Sequence, residues 1–318
     1  MQALPIGNIS FTTFQLNGFY SVGEWRHFLF IPYFLMFLLC TTANSILIFL
    51  IISQRSLHSP MFVLIGLMAV VDLCMPMIFV PHMLLSFLFD WNQISLVGCL
   101  MQIFCTQFIG AFQSTLLLWM SLDRFFAICR PLSYHINMQM ANFLKFIIVP
   151  VIRNWLLNII IISLAGKLHF CVKNEIDHCF CEHMGLVQLA CEDTSVNNIA
   201  GLVGAFLIPT ADFLFIAVSY VIIFASVMKS GKSSWKAINT CITHIIVITF
   251  SLVFAMTAFL SYRTRNNFSP NSRIFISTMY ILFPSCFNPI IYGVRTKEIR
   301  LQFIKFFKRV KNIFPIIV

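Results

Sequence analysis

The sequence predicts an all-α membrane protein, a bundle of seven transmembrane helices with a short amphipathic helix at its C-terminal end. Of its 318 residues, 59% are hydrophobic and only 10% are charged, whereas soluble domains carry about 25% charged residues. The mean hydropathy is +0.88. Because so much apolar surface with so little charge has no soluble packing arrangement, we place the chain in a lipid bilayer.

The apolar residues are gathered into stretches of membrane-spanning length. Each holds roughly 20 residues or more, enough to cross about 30 Å of hydrocarbon at about 1.5 Å per residue. The predicted spans are residues 27–52, 60–88, 98–122, 143–166, 198–228, 239–262 and 272–294. An odd number of spans places the two termini on opposite sides of the membrane.

The basic residues orient the chain. Lys and Arg are concentrated in the polar breaks at 53–59, 124–142 and 229–239 and in the tail after 294. Because positive residues in short loops stay cytoplasmic, the N-terminus is predicted outside the cell and the C-terminus inside. Anionic phospholipid of the inner leaflet is a sufficient partner for the basic tail. No basic run interleaved with aromatic residues suggests nucleic-acid binding.

The C-terminal tail has its own periodicity. Within residues 296–312, Ile299, Phe303 and Phe306 recur at helical spacing with Lys and Arg between them. This pattern predicts an amphipathic helix lying on the inner membrane surface. No linker or low-complexity tract divides the chain, so residues 1–318 are predicted to form one domain.

The segments before the first span and after the last span are short. Residues 1–26 are predicted to be an extracellular tail, and residues 295–318 a cytoplasmic one. The polar N-terminus lacks the features of a cleavable signal peptide, so the first apolar stretch is expected to act as an uncleaved anchor. Asn8-Ile9-Ser10 is a glycosylation sequon in the extracellular tail, which predicts modification at Asn8.

Cysteines cluster in the long outer loop between spans four and five. Disulfides are favoured there because the extracellular compartment is oxidising. Zinc binding is the alternative, but the spacing lacks a compact Cys-x-x-Cys pair, so we favour disulfides and expect no metal or cofactor. The outward cysteines are Cys99, Cys171, Cys179, Cys181 and Cys191.

Charged residues at or inside the spans are candidates for function. Asp123 and Arg124 lie where the third span meets the cytoplasm. A charge at mid-membrane costs about 2.5–3.5 kcal/mol on insertion scales, while a surface ion pair contributes roughly 0–1 kcal/mol. The pair either ends the helix or serves as a switch, and we favour the switch. For Arg153 and Asp212, a structural and a functional role remain equally open.

Asp72 is a lone carboxylate in the middle of the second span. An ionisable residue inside the membrane is a functional candidate by default. Asn44 and Asn288 are its candidate hydrogen-bond partners. The alternative is a protonated acid that only holds helices together; we favour a part in switching, with sodium binding left open.

Five short motifs occur in order along the chain. They are LHSPMF at 57–62, MSLDRFFAICRPLSYH at 120–135, SY at 219–220, KAINTCITH at 236–244 and NPIIY at 288–292.

Together these motifs resemble the odorant receptor family of rhodopsin-like G-protein-coupled receptors over nearly the whole chain. The loop HCFCEHMGLVQLAC and the ending NPIIYGVRTKEIR look most like the fish-type, or class I, branch. The resemblance implies a multi-pass plasma-membrane receptor, not an enzyme, that binds a small-molecule odorant and activates a heterotrimeric, stimulatory olfactory-type G protein. It also implies the disulfides Cys99–Cys181 and Cys171–Cys191, with Cys179 left over.

The resemblance assigns the switch as well. Asp123 is expected to hold Arg124 at rest and to release it to the G-protein α-subunit when the sixth helix moves outward. Gln113 stands where the third helix of the family commonly has Glu, which weakens the charge available for a sodium ion. The other residues assigned to the switch are Tyr220, Asn288, Pro289, as a hinge, and Tyr292.

The ligand cavity is expected among helices three, five, six and seven, just below Cys99. Small side chains there leave space, and polar ones offer hydrogen bonds. For each residue, ordinary helix packing is the competing interpretation. The candidates are Thr106, Gln107, Gly110, Ala111, Gly204, Ala205, Ile208, Ala255, Phe259 and Tyr280.

Two further residues predict the chemistry of the ligand. The Cys99–Cys181 disulfide would hold the loop over the cavity and aim His183 inward. Arg263, at the outer end of the sixth helix, could bind a carboxylate through two parallel hydrogen bonds. Class I receptors tend to recognise polar, often acidic molecules, which agrees. A solvated position is the alternative for Arg263.

Two other functional classes also have several membrane spans. A rhodopsin-like receptor for an amine would be expected to have an acid on the outer part of helix three, where Thr106 and Gln107 stand. A transporter would show internal repeats, and no repeat is visible. A non-olfactory receptor for another small ligand is the remaining alternative.

Overall fold

The computed structural model describes residues 10–137, 140–229, 235–263 and 268–313. Within them, seven helices are long and apolar enough to cross a membrane, which confirms the predicted fold class. In chain order the α-helices are α1 (Phe30–Ser53), α2 (Pro60–Phe89), α3 (Leu96–Cys129), α4 (Pro131–Asn137), α5 (Met140–Gly166), α6 (His183–Val187), α7 (Ser195–Leu202), α8 (Ile208–Lys229), α9 (Trp235–Arg263), α10 (Pro270–Arg295) and α11 (Lys297–Ile313). The spans correspond to α1, α2, α3, α5, α8, α9 and α10.

Several helices begin at residues suited to that position. α3 follows Ser95, whose hydroxyl accepts a hydrogen bond from the Gly98 amide at 3.1 Å. α10 follows Ser269, which accepts one from the Ser272 amide at 3.2 Å. Pro270 is the first residue of α10, and its fixed φ and missing amide hydrogen suit that position.

The fifth transmembrane segment is not a single regular helix. α7 continues into a π-helical turn, Val203–Leu207, which runs on into α8. Such turns are rare and frequently occur at functional sites. The predicted span at 198–228 is therefore present, with an irregular turn near its start.

α3 lies at the centre of the bundle and packs against α2, α5, α8 and α9. It extends to Cys129, past the predicted end at residue 122. The Asp123 side chain is buried, and its carboxylate accepts a hydrogen bond from Tyr134 at 3.0 Å. A partnered carboxylate is tolerated inside the helix, so the charged pair does not end it.

A small three-stranded sheet covers one end of the bundle. β1 (Thr13–Leu16) lies in the middle, antiparallel to β2 (Gln93–Ser95) and parallel to β3 (Glu175–Ile176). After β1 the chain forms a 3₁₀ helix, Tyr20–Leu29, and enters α1. We call residues 10–29 the N-terminal cap and this end of the molecule the cap end. The sequence predicted only a tail here.

The opposite end, which we call the tail end, carries α11. This helix agrees with the amphipathic helix predicted at 296–312. The Phe306 ring packs against Phe49 of α1, with ring centroids 5.5 Å apart. The Gln302 amide donates to the Ser56 hydroxyl at 3.1 Å. These contacts fasten the helix to the tail end of the bundle.

Candidate functional site

The loop between α5 and α7 is fastened to the top of α3. The structure joins Cys99 to Cys181 and Cys171 to Cys191, with Cα–Cα distances of 5.3 and 5.7 Å. Cys179 is a free, buried thiol. Both pairs are those implied by the family resemblance.

Gln102 adds a second tie that sequence reasoning missed. Its side-chain oxygen accepts a hydrogen bond from the Cys181 amide at 2.7 Å, and its side-chain nitrogen donates to the Ile78 carbonyl at 3.2 Å. Gln102 lies one helical turn after Cys99, so the available signal was a polar residue on the same face of an apolar helix.

His183 begins α6 and is 4% exposed. Its ring lies against Gly201 of α7, where an added Cβ would be 2.6 Å from Nδ1. Among the described residues, neither ring nitrogen has a hydrogen-bond partner. Burial lowers the pKa of His183 to about 4, so the imidazole is neutral at pH 7. A neutral, buried imidazole with unused nitrogens is suited to bind a polar ligand atom.

The predicted residues of α3 lie below this loop. Thr106 donates its hydroxyl to the Gln102 carbonyl at 2.7 Å. The side-chain oxygen of Gln107 is shielded and has no hydrogen-bond partner among the described residues. At Gly110 an added Cβ would meet Met75 at 3.8 Å, and Ala111 is buried. Gln107 is thus a second polar group with unused capacity.

The remaining predicted lining residues fall into two groups. Gly204 packs against α5, because an added Cβ would lie 2.5 Å from Ile161; this is the packing role that competed with cavity lining. Ala255 and Tyr280 are partly buried. The side chains that fall outside the described part of the structure are Ala205, Ile208, Phe259 and Arg263.

A polar cluster joins α3, α5 and α8 just below Ala111. The Asp212 carboxylate, in α8, accepts a hydrogen bond from Ser114 at 2.8 Å, and Arg153 of α5 approaches it at 4.0 Å. Ser114 is one turn beyond Ala111 on α3. Sequence reasoning singled out Arg153 and Asp212, but not Ser114, which lies 98 positions from its acceptor.

A second cluster surrounds Asp72. Gln113 donates to one carboxylate oxygen at 2.8 Å and Asn288 to the other at 3.0 Å. Asn44 donates instead to the carbonyls of Cys40 and Ser285, each at 2.9 Å. Asn44 therefore adjoins this cluster without bonding Asp72, which differs from its expected partnership. Each carboxylate oxygen of Asp72 therefore accepts a hydrogen bond from a side-chain amide.

At the tail end, Asp123 and Arg124 approach within 3.5 Å. Asp123 is buried, whereas 23% of the Arg124 side chain is exposed. Tyr134 on α4 donates its hydroxyl to Asp123 at 3.0 Å, a contact sequence reasoning missed. Tyr220 is buried, and its hydroxyl has no partner among the described residues.

Two contacts tie α9 and α10 together near this pair. The Arg295 guanidinium donates to the Thr243 hydroxyl at 3.0 Å. The rings of His244 and Tyr292 meet edge to face at 6.3 Å, and the Tyr292 hydroxyl lies 3.7 Å from the Met120 sulfur. Pro289 is buried in α10, one turn before Tyr292.

Among the described residues, no three His, Cys, Asp or Glu side chains are grouped so as to hold a metal ion. The predicted glycosylation residue, Asn8, lies outside the described residues.

Comparison with known proteins agrees with this arrangement. A family model described as Olfactory receptor matches residues 33–310. Olfactory receptor 52A5 from Homo sapiens is 37% identical over 309 residues, 95% of this chain and 96% of the relative. Olfactory receptor 52K1 from Homo sapiens is 34% identical over 298 residues, 93% of this chain and 95% of the relative. With seven apolar helices and a matching family model over most of its length, the chain belongs to the olfactory receptor family.

Proposed function

We propose that this receptor binds a small carboxylic acid, or another polar odorant, between the loop that carries His183 and the upper parts of α3, α8, α9 and α10. Olfactory receptors are G-protein-coupled receptors and not enzymes. We further propose that it couples to a stimulatory olfactory-type G protein, with the cap end extracellular and the tail end cytoplasmic. The excess of Lys and Arg in the breaks at the tail end supports this orientation.

The observation that carries the proposed ligand class is the state of His183. Burial of an imidazole without a hydrogen bond is costly, and this ring is 4% exposed with both nitrogens unpartnered among the described residues. At pH 7 a small carboxylic acid is a carboxylate, which accepts hydrogen bonds and donates none. It would give the His183 N–H an acceptor, whereas the buried Gln107 oxygen would bond to a donor such as the hydroxyl of another polar odorant.

Arg263 is the proposed charge partner of the acid. It is the last residue of α9. A guanidinium matches a carboxylate through two parallel hydrogen bonds, a geometry that lysine cannot reproduce. An acid bound by both Arg263 and His183 would link α9, the helix proposed to move on activation, to the loop. That loop is joined to α3 by the Cys99–Cys181 disulfide.

Activation is proposed to be a shift between two populations. The ligand must bind the active conformation more tightly than the resting one, since a ligand with equal affinity for both does not change their populations. At the tail end, Arg124 leaves Asp123 to meet the G protein as α9 separates from α10. The Arg295–Thr243 and His244–Tyr292 contacts are those that this separation would break.

The test is a cAMP assay in cells that traffic olfactory receptors, with short-chain carboxylic acids and the matching alcohols as ligands. We expect Arg263→Ala to abolish acid responses at unchanged surface expression, and Arg263→Lys to recover only part of them. Arg265→Ala is the matched control, because it removes a positive charge two residues further along the chain. An unchanged dose–response of Arg263→Ala to acids would refute the acid anchor.

A further inference from the structure

The N-terminal cap is a folded cover, not a loose tail. On its inner face, Phe14 and Leu16 of β1 are buried in one apolar cluster with Cys99 and Cys181. On its outer face, Thr13 is exposed. β1 therefore lies directly over the disulfide that positions the His183 loop.

The cap contains a bend between β1 and α1. Phe19 and Gly23 both have positive φ angles, of 60° and 64°. At Gly23, ψ is −136°, a conformation that interrupts the 3₁₀ helix and that glycine adopts readily. Nothing lies within 4 Å of an added Cβ there, so the backbone has room on that side. The backbone of residues 19–23 thus bends sharply between β1 and α1, and the Phe19 ring packs against Tyr33 and Phe87.

Arg26 joins Gly18, which lies on the β1 side of this bend, to the end of α2. It is 4% exposed. Its guanidinium donates to the Gly18 carbonyl at 3.0 Å, to the Ser86 carbonyl at 2.9 Å and to Asp90 at 2.8 Å. It also lies over the Tyr20 ring, 4.5 Å from the centroid. One side chain therefore joins the cap to the end of α2.

We propose that the N-terminal cap is a gate over the ligand cavity, hinged at residues 19–23 and fastened by Arg26, and that ligand enters only while β1 is released from the loop; this rests on the function proposed above. The Arg26–Asp90 pair is the adjustable part of the fastening. Asp90 is the exposed member of the pair, with 63% of its side chain accessible, so its substitution leaves the buried contacts of Arg26 in place.

A ligand-independent test measures how fast a thiol below the cap is modified. Gln107→Cys places the thiol in the proposed cavity, and a membrane-impermeant, charged methanethiosulfonate reagent is applied to intact cells. Adding Asp90→Asn should raise the modification rate at least threefold, because the fastening is weakened. Asn also tolerates the left-handed backbone of Asp90, whose φ is 51°. Asp177→Asn, which removes an exposed carboxylate from the same face, is the control. Equal rates with and without Asp90→Asn would overturn the gate.

A cross-link tests the closed state. Thr13 and Ser95 lie directly opposite each other in β1 and β2. In the adjacent pair the Leu96 amide donates to the Thr12 carbonyl, and further along the Leu16 amide donates to the Asn92 carbonyl. Because hydrogen-bonded and non-hydrogen-bonded pairs alternate in an antiparallel ladder, Thr13 and Ser95 form a non-hydrogen-bonded pair. There the Cα atoms are about 4.5 Å apart, within the range of a disulfide. Thr13→Cys with Ser95→Cys should therefore lock the cap shut.

We expect the cross-linked receptor to show at least a tenfold higher EC50 for the acid that activates the wild type, and mild reduction to restore the response. The wild type given the same reductant controls for loss of the native disulfides, and Thr13→Cys alone controls for the substitution. A non-reducing gel confirms the bond. A cross-linked receptor with wild-type EC50 and onset, or a pair that does not cross-link, contradicts the proposal. If no acid activates the wild type, the proposed function fails, while thiol modification still decides on the gate.

Discussion

The two ends of this receptor are held together by different kinds of contact. At the cap end, two disulfides, a sheet and the buried Arg26 join segments far apart in the sequence. At the tail end, the Arg124 side chain is 23% exposed and lies 3.5 Å from Asp123. The Arg26 side chain is only 5% exposed and bonds Asp90 at 2.8 Å. The tail end also keeps a buried Tyr220 hydroxyl without a partner among the described residues. Apart from the movement of β1 proposed above, the cap end is built to keep its geometry, whereas the tail end has the partly exposed charge and the unpaired hydroxyl that the proposed switch requires.

The largest expected effect comes from breaking the cap end. Arg26→Met keeps the apolar stem but leaves the Gly18 and Ser86 carbonyls and Asp90 without their donor. Because removing one partner from a buried charged network is costly, we expect a loss of about 3 kcal/mol in stability. Thermal unfolding in detergent, with surface expression beside it, measures this loss.

Lys173→Met is the matched control for Arg26→Met. The Lys173–Asp177 pair is exposed on both sides, so its loss should cost roughly 0–1 kcal/mol. If both variants unfold at the same temperature, the cap end does not depend on Arg26 as the contacts indicate.

A smaller and different effect is expected from the tail end. Tyr134→Phe removes the hydroxyl that donates to Asp123 at 3.0 Å. A hydrogen bond to a charged group contributes about 1.5–3 kcal/mol, and we expect its loss to appear mainly as raised ligand-independent cAMP, by several-fold. The unfolding temperature should fall less than in Arg26→Met, because Tyr134 donates one hydrogen bond where Arg26 donates several.

The control for Tyr134→Phe is Tyr20→Phe, which removes an exposed hydroxyl from the cap end. It should leave basal cAMP unchanged. Basal signalling that stays at the wild-type level in Tyr134→Phe would mean that this contact does not restrain the switch.

The smallest effect is a pH dependence at the cap end. Burial lowers the pKa of His183 to about 4 and that of His178 to about 3, from an ordinary value of 6.5. The unfolded chain then binds protons below pH 6.5 that the native loop does not, so stability falls as pH drops from about 6.5 toward 4. Between pH 7.5 and 5.5 we expect each histidine to cost about 1 kcal/mol.

Thermal unfolding at several pH values measures this dependence. His183→Asn should make the profile shallower between pH 6.5 and 5. A profile of identical slope in wild type and His183→Asn would contradict a buried, neutral His183.

The spans and α11 could be predicted from the sequence because their signals are local: long apolar runs and a helical repeat of Phe and Ile. The Asp123–Arg124 pair, the proposed switch, could be located for the same reason, since both charged residues interrupt an apolar run. The N-terminal cap could not. β1 reads Thr-Phe-Gln-Leu, an alternation with the correct burial pattern, but four residues are too few to identify a strand without its partners.

The polar clusters show the same limit. Asn288 was expected to bond Asp72 and does so. Asp212 is just as conspicuous in an apolar helix, yet its donor Ser114 is an ordinary residue on another helix. Gln102 gained its role only when the Cys99–Cys181 disulfide placed the Cys181 amide beside it. A hydrogen bond between residues that are far apart in the sequence leaves no periodic pattern in either segment.

The central position of β1 has a consequence for biosynthesis. β2 and β3 each pair with β1, so neither strand can form its backbone hydrogen bonds until β1 is in place. β1 is synthesised first, but Gln15 must wait for Glu175, which follows the fourth span. Contacts so distant in sequence form late. In the orientation proposed above, Phe14 and Leu16 then remain unpacked in the lumen until the fourth span has been made. A completed cap would therefore distinguish a receptor whose first four spans have assembled from one whose spans have not.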